Sequence, residues 1–232
     1  MRRTMRAGTA VRWVTAVAGV AVTVTACGPL QLGAAAIYGS QRITTAKLAA
    51  EVANLNAAYQ ADKAKVHIGY GPASMPREAL SWMLRFAARE QLAVREGIKV
   101  TPGESQRALA EVALSVRQSG GGTLPDAAVA AGLPLDMLPE LGRYVAIQSE
   151  LENRLDHGVP PKTSAANEAL IAIFDHLQCL AAKSMNISVN PQYGALDYSQ
   201  YAVVPHASNL AAAEPLAGKK PRTPAPQLTP AC

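Results

Sequence analysis

Apolar positions recur at helical spacing along most of the chain. Leu48, Val52, Leu55 and Tyr59 are separated by four, three and four residues, which places them on one face of a helix. Thr44 or Thr45 stands where a cap belongs, so a helix is predicted from there to Gln60. Pro76 opens a second helix, with Leu80, Met83, Leu84, Ala87 and Val94 on its inner side and Gly97 as its stop. Thr101 and Glu104 have the spacing of a capping box. The third helix they start is predicted to bury Leu109, Val112, Ala113 and Val116, and to end at Gly120, Gly121 and Gly122. A short helix from Pro125 to Ala131 closes at Gly132. A long one follows from Asp136 to His157 through Leu141, Tyr144, Val145, Leu151 and Leu155. The last, from Ser164 to Met185, is predicted to face inward through Leu170, Ile173, Phe174, Leu177 and Ala181.

Strand signals are few. Ala34 to Ile43 reads as an edge strand and a turn at Gly39 and Ser40; Ile187 to Val189 and Tyr201 to Val204 read as further strands, with a turn at Asn190 and Pro191. The expected fold is therefore mainly α, with a small sheet joining the N- and C-terminal strands. One domain, residues 27–204, is long enough for a real core. Residues 205–232 are rich in Pro, Ala, Lys and Thr with little to bury, a composition that predicts disorder.

The N-terminus has the anatomy of an export signal. Arg2, Arg3, Arg6 and Arg12 precede an uncharged stretch from Trp13 to Ala26, too short for a spanning helix of about 20 residues. Val24, Thr25, Ala26 and Cys27 resemble the lipobox of bacterial lipoproteins. That resemblance implies a signal peptide over residues 1–26, a diacylglyceryl thioether on Cys27, and a lipid-anchored place on the extracytoplasmic face of the cell membrane.

Removing the leader changes the charge. The whole chain has 22 basic and 17 acidic residues, a net of +5, but four of the arginines lie before Cys27 and leave +1 for the rest. No basic patch on the fold points to a nucleic-acid partner. Cys179 and Cys232 remain in an oxidising setting, where a bridge between them is possible.

Candidate chemistry is thin. His176 and Cys179 are three apart on the last helix, too few for a metal site, and His67, His157 and His206 lack ligand spacing. No nucleophile motif, phosphate-binding glycine loop or zinc-protease signature is present. The sequence therefore predicts no catalytic residue, metal, cofactor or small-molecule substrate. The second helix carries another apolar stripe at Trp82, Phe86 and Ala93. Either both stripes are core, or Trp82 and Phe86 line a groove for unfolded chains.

The order of elements resembles the N-terminal domain of the SurA and PrsA family of extracytoplasmic chaperones. Residues 35–44 are similar to that family's opening strand and helix entry, residues 97–104 to its junction between second and third helices, and residues 124–138 to its short helix and the start of the next one. Ile187 to Gly194 resembles its "VNPRYG" stretch, with Gln192 where Arg is common and Leu196 where an aromatic is frequent. The family's parvulin domain precedes the final helix, whereas here only residues 158–163 separate the last two helices. Val66-His67-Ile68 and Gly121-Gly122-Thr123-Leu124 have parvulin-like wording in the wrong places. The resemblance implies a chaperone-like protein that binds unfolded or exported polypeptides without prolyl isomerase activity. Alternatives are an assembly lipoprotein with one fixed envelope partner and a degenerate isomerase.

Overall fold

A computed structural model describes residues 33–159 and 162–205. The leader, Cys27, His206 and the segment ending at Cys232 lie outside the described residues. The described chain is mainly helical with small antiparallel sheets. In order it forms β1 (Ala34–Tyr38), β2 (Gln41–Thr44), α1 (Thr45–Asp62), α2 (Met75–Glu96), α3 (Pro102–Gln118), α4 (Leu124–Ala130), α5 (Leu138–Leu155), α6 (Ser164–Ser184), β3 (Ser188–Val189), β4 (Ala195–Asp197) and β5 (Ala202–Val204).

Local chemistry starts most of the helices. The Thr44 hydroxyl accepts from the Lys47 backbone N–H at 3.0 Å and caps α1. Thr101 and Glu104 make the predicted reciprocal box on α3. Thr123 and Asp126 make a second box on α4. Gly97 ends α2 at φ 63° and lets the Ile98 N–H reach back to the Ala93 carbonyl at 2.8 Å, a left-handed stop that favours glycine. Residues Leu135–Met137 form a 3-10 turn, so α5 begins at Leu138 and not at Asp136.

α2 is the axis of the fold. It touches α1, α5, α6 and β5, and the buried face turns along it. Ala79, Leu80, Ser81, Met83, Leu84 and Phe86 are buried in its first half, whereas Ala88, Arg89, Leu92 and Ala93 are buried in its second. At about 100° per residue the second set points away from Leu80. Val94, predicted inside, is 74% exposed for this reason. α6 shows a similar rotation. Its buried residues are Phe174, Gln178, Cys179, Ala181 and Ala182, while Ile173 is exposed. Contact with α2, α5 and the turn before β5 sets that face, which lies roughly 90° from the predicted one.

β1 is the centre of its sheet, not an edge. The order is β2-β1-β3, antiparallel throughout, with Ala36 opposite Val189. This joins the two ends of the chain as the sequence predicts. The strand expected at Tyr201 to Val204 belongs to a separate hairpin, in which β5 pairs with β4 and Ala195 faces Val204. α3 lies at the margin and packs mainly on α5. Leu109, Val112, Ala113 and Val116 are accordingly half-buried, and only Ala108 is fully so.

Candidate binding groove

A largely apolar depression lies between α1 and the start of α2. One wall is Leu48, Ala49, Val52, Ala53 and Asn56 of α1; the other is Pro72, Met75 and Pro76, and Tyr193 closes an end. Its volume is about 390 Å³ and it opens to solvent. Alanines at 49 and 53 leave the space that larger side chains would fill, while Leu48 and Met75 form the buried floor.

Tyr193 is held by a turn clasped to β1. The Asn190 side-chain amide donates to the Ala34 carbonyl at 3.0 Å, and its backbone N–H donates to the Ala35 carbonyl at 2.9 Å. The Asn190 carboxamide oxygen accepts from the Gln192 N–H at 3.1 Å, and the Tyr193 N–H returns to the Asn190 carbonyl at 2.9 Å. The Asn190 side chain therefore satisfies two backbone groups, the Ala34 carbonyl and the Gln192 N–H, and its main chain satisfies two more. Gly194 follows at φ 128°, where a Cβ would lie 2.1 Å from the Val204 carbonyl oxygen. Only glycine lets β5 pass there.

Trp82 and Phe86 do not line this groove. Phe86 is buried at 8% exposure and meets the Tyr144 ring edge-on at 5.7 Å. Trp82 is half-buried, meets the Phe86 ring at 5.6 Å with a tilt of 43°, and donates its indole N–H to the Ala131 carbonyl at 2.9 Å. Arg85 covers the indole face at 4.9 Å. Of the two alternatives for this stripe, the geometry selects core packing. The indole N–H bond ties α2 to the end of α4 and leaves little ring to offer.

His176 and Cys179 form no site. Cys179 is disulfide-bonded and buried, while His176 is exposed. The turn carrying Tyr198 and Tyr201 packs beside this part of α6, with the Tyr201 hydroxyl 3.5 Å from the Asp175 carbonyl. Among the described residues, no group of three or more His, Cys, Asp or Glu could hold a metal ion. No described helix is long and apolar enough to cross a membrane. A more polar cleft of about 260 Å³ lies between α3 and α5, where Lys99 and Arg107 alternate with Glu104, Glu111 and Glu150.

Two buried ionisable groups were not singled out in the sequence. Arg89 of α2 is 1% exposed and sandwiched between Tyr144 at 3.9 Å and Phe174 at 4.6 Å. It donates to the Gln178 side-chain oxygen and the Tyr144 hydroxyl, both at 2.6 Å, and to the Gln148 side-chain oxygen at 3.3 Å. Burial lowers its pKa from the ordinary arginine value. The Gln148 amide donates onward to Glu152 at 2.8 Å, so the counter-charge stands one residue removed. Glu51 of α1 is 9% exposed. Burial first, then the nearby Asp136 carboxylate, push its pKa up to about 7. The signal available for both was position: each falls on the inward face of its own helix.

The chain matches no protein-family model, no curated protein and no solved structure.

Proposed function

We propose that this protein is a lipid-anchored, chaperone-like holder on the extracytoplasmic face of the membrane, which binds unfolded or exported polypeptide in the groove between α1 and α2. The observation that carries the reading is the groove itself: an open, largely aliphatic channel with Tyr193 at one end and two prolines in its wall. Such a surface takes apolar side chains of an extended segment without a charge pattern to select among them. The resemblance to the SurA and PrsA N-terminal domain supports the same reading, and the turn Asn190-Pro191-Gln192-Tyr193-Gly194 that carries part of it builds the groove's end. The proposed activity involves no prolyl isomerisation.

The test is suppression of aggregation of an unfolded model protein. Ala53→Glu puts a charge on an exposed wall residue and is expected to weaken suppression about tenfold while the circular dichroism spectrum and unfolding midpoint stay unchanged. Prolyl isomerisation of a model peptide should remain at its uncatalysed rate of tens of seconds or more. Full suppression by the Ala53→Glu protein would exclude this groove. Capture of a single envelope protein, in place of many clients, would favour an assembly role.

A further inference from the structure

The chain does not leave the described structure at random. β5 ends at Val204, paired to Ala195, and its carbonyl abuts Gly194, the residue next to Tyr193 of the groove. The described chain therefore ends, at Pro205, one residue past the strand whose carbonyl meets Gly194. Residues 206–232 contain Leu210, Ala211, Ala212, Ala213, Leu216 and Leu228, together with prolines at 215, 221, 224, 226 and 230. The apolar part is the run from Leu210 to Leu216, broken only by Glu214 and Pro215, with Lys219, Lys220 and Arg222 beyond it; a proline-rich segment of this kind enters an aliphatic groove with little ordering entropy to lose.

The second observation is at the other end of that segment. Cys179 is disulfide-bonded, and it is the only cysteine among the described residues. The chain has three in all. A Cys27 sulfur used in a thioether has no disulfide to give, which leaves Cys232, the final residue. We propose that residues 206–232 are the intramolecular occupant of the groove, held as a strap by a Cys179–Cys232 disulfide. The proposal rests on the groove being a polypeptide-binding site.

Lengths permit it. From Pro76 at the groove to Arg89, which bonds Gln178 beside Cys179, α2 covers roughly 20 Å at 1.5 Å per residue. The segment could extend to about 90 Å, so it spans this distance with slack to dip into the channel. Tethering at both ends gives an effective concentration on the order of 1 mM. A segment with an intrinsic dissociation constant of about 0.1 mM then fills the groove some tenfold more often than not, and weakens client binding about tenfold. A dithiol reductant that passes two electrons and two protons to the bridge, itself becoming a disulfide, would free the end of the strap and lower that occupancy.

Trypsin digestion of the unreduced full chain from the envelope tests the bond. Peptide 163–183 linked to peptide 223–232 is expected, whereas a link to the peptide bearing Cys27 or to a second copy overturns the strap. A photoreactive residue at position 53 in the full chain should capture residues 206–232 in cis; failure to do so overturns the occupancy. The full-length double variant Leu210→Asp with Leu216→Asp should bind an unfolded model peptide about tenfold more tightly than the unaltered chain. Equal affinity overturns the competition but leaves the groove as a client site. Capture of residues 206–232 with no peptide binding in either protein supports the strap and removes the client reading.

Discussion

At the scale of single residues, the informative groups are those whose chemistry conflicts with their surroundings. Arg89 is a cation with no carboxylate in contact, stabilised by two aromatic faces and three neutral acceptors on α5 and α6. Arg89→Ala leaves Gln178 and the Tyr144 hydroxyl without their partner and opens a cavity between two rings. We predict a loss on the order of 3 kcal/mol in urea unfolding, and Arg89→Met, which restores volume but no donor, should recover part of it. Glu51 has the opposite sign of problem, an acid held protonated. Its folded pKa of about 7 lies above the ordinary 4.5, raised first by burial and then by Asp136 and Glu140, with Lys47 opposing. The folded state therefore binds more protons between those values, and stability falls as pH rises from about 4.5 through about 7. Glu51→Gln should flatten that slope and stabilise the protein above pH 7 by on the order of 1 kcal/mol, read from unfolding midpoints across pH. An unchanged slope would assign the pH dependence elsewhere.

At the scale of elements, what could be read from the sequence was whatever local chemistry decides. The Thr101 and Glu104 box, the Gly97 stop and the helical stripe of α1 all stand as expected. Facing was harder, because it depends on which neighbours arrive. α2 is covered on different sides in its two halves, so no single stripe described it, and α6 turned toward small residues that let α2 approach closely. β4 was missed because three half-buried residues give no alternating signal. The groove was legible on one side only: Leu48 and Val52 belong to the predicted α1 face, but Pro72, Met75 and Tyr193 come from segments brought together by tertiary contacts. The α3 and α5 pair offers a sharp test of close packing. A Cβ at Gly142 would lie 2.5 Å from the Ser105 carbonyl oxygen and 3.0 Å from Leu109 Cβ. Gly142→Ala must therefore push α3 outward, against the usual helix preference for alanine. We predict a net loss of about 1–3 kcal/mol, with amide exchange accelerated in α3 more than in α2. A stabilised variant would show that α3 is freer to shift than its contacts indicate.

At the scale of the whole molecule, the proposed anchor and groove make one arrangement. β1 begins seven residues after Cys27, a connection of at most about 25 Å. The Thr45 N–H, at the start of α1, donates to the Gly33 carbonyl at 2.9 Å, and Leu48 and Ala49 of the groove lie in the next turn of that helix. A lipid on Cys27 would thus hold the groove's α1 end within a short tether of the bilayer, where exported chains emerge. Attachment should depend on that one sulfur, since stable anchoring needs more than a single chain at about 0.8 kcal/mol per buried CH₂. We predict that Cys27→Ala abolishes metabolic palmitate labelling and shifts the protein from the membrane pellet, where carbonate washing leaves the unaltered chain. The same variant separates two fates for the thiol. If Cys27 carries lipid, the bridge at Cys179 forms unchanged in the Cys27→Ala protein; if Cys27 is its disulfide partner, Cys179 becomes alkylatable without reduction. Labelling that persists in the variant would overturn the lipoprotein reading, and a newly alkylatable Cys179 would overturn both the anchor and the strap.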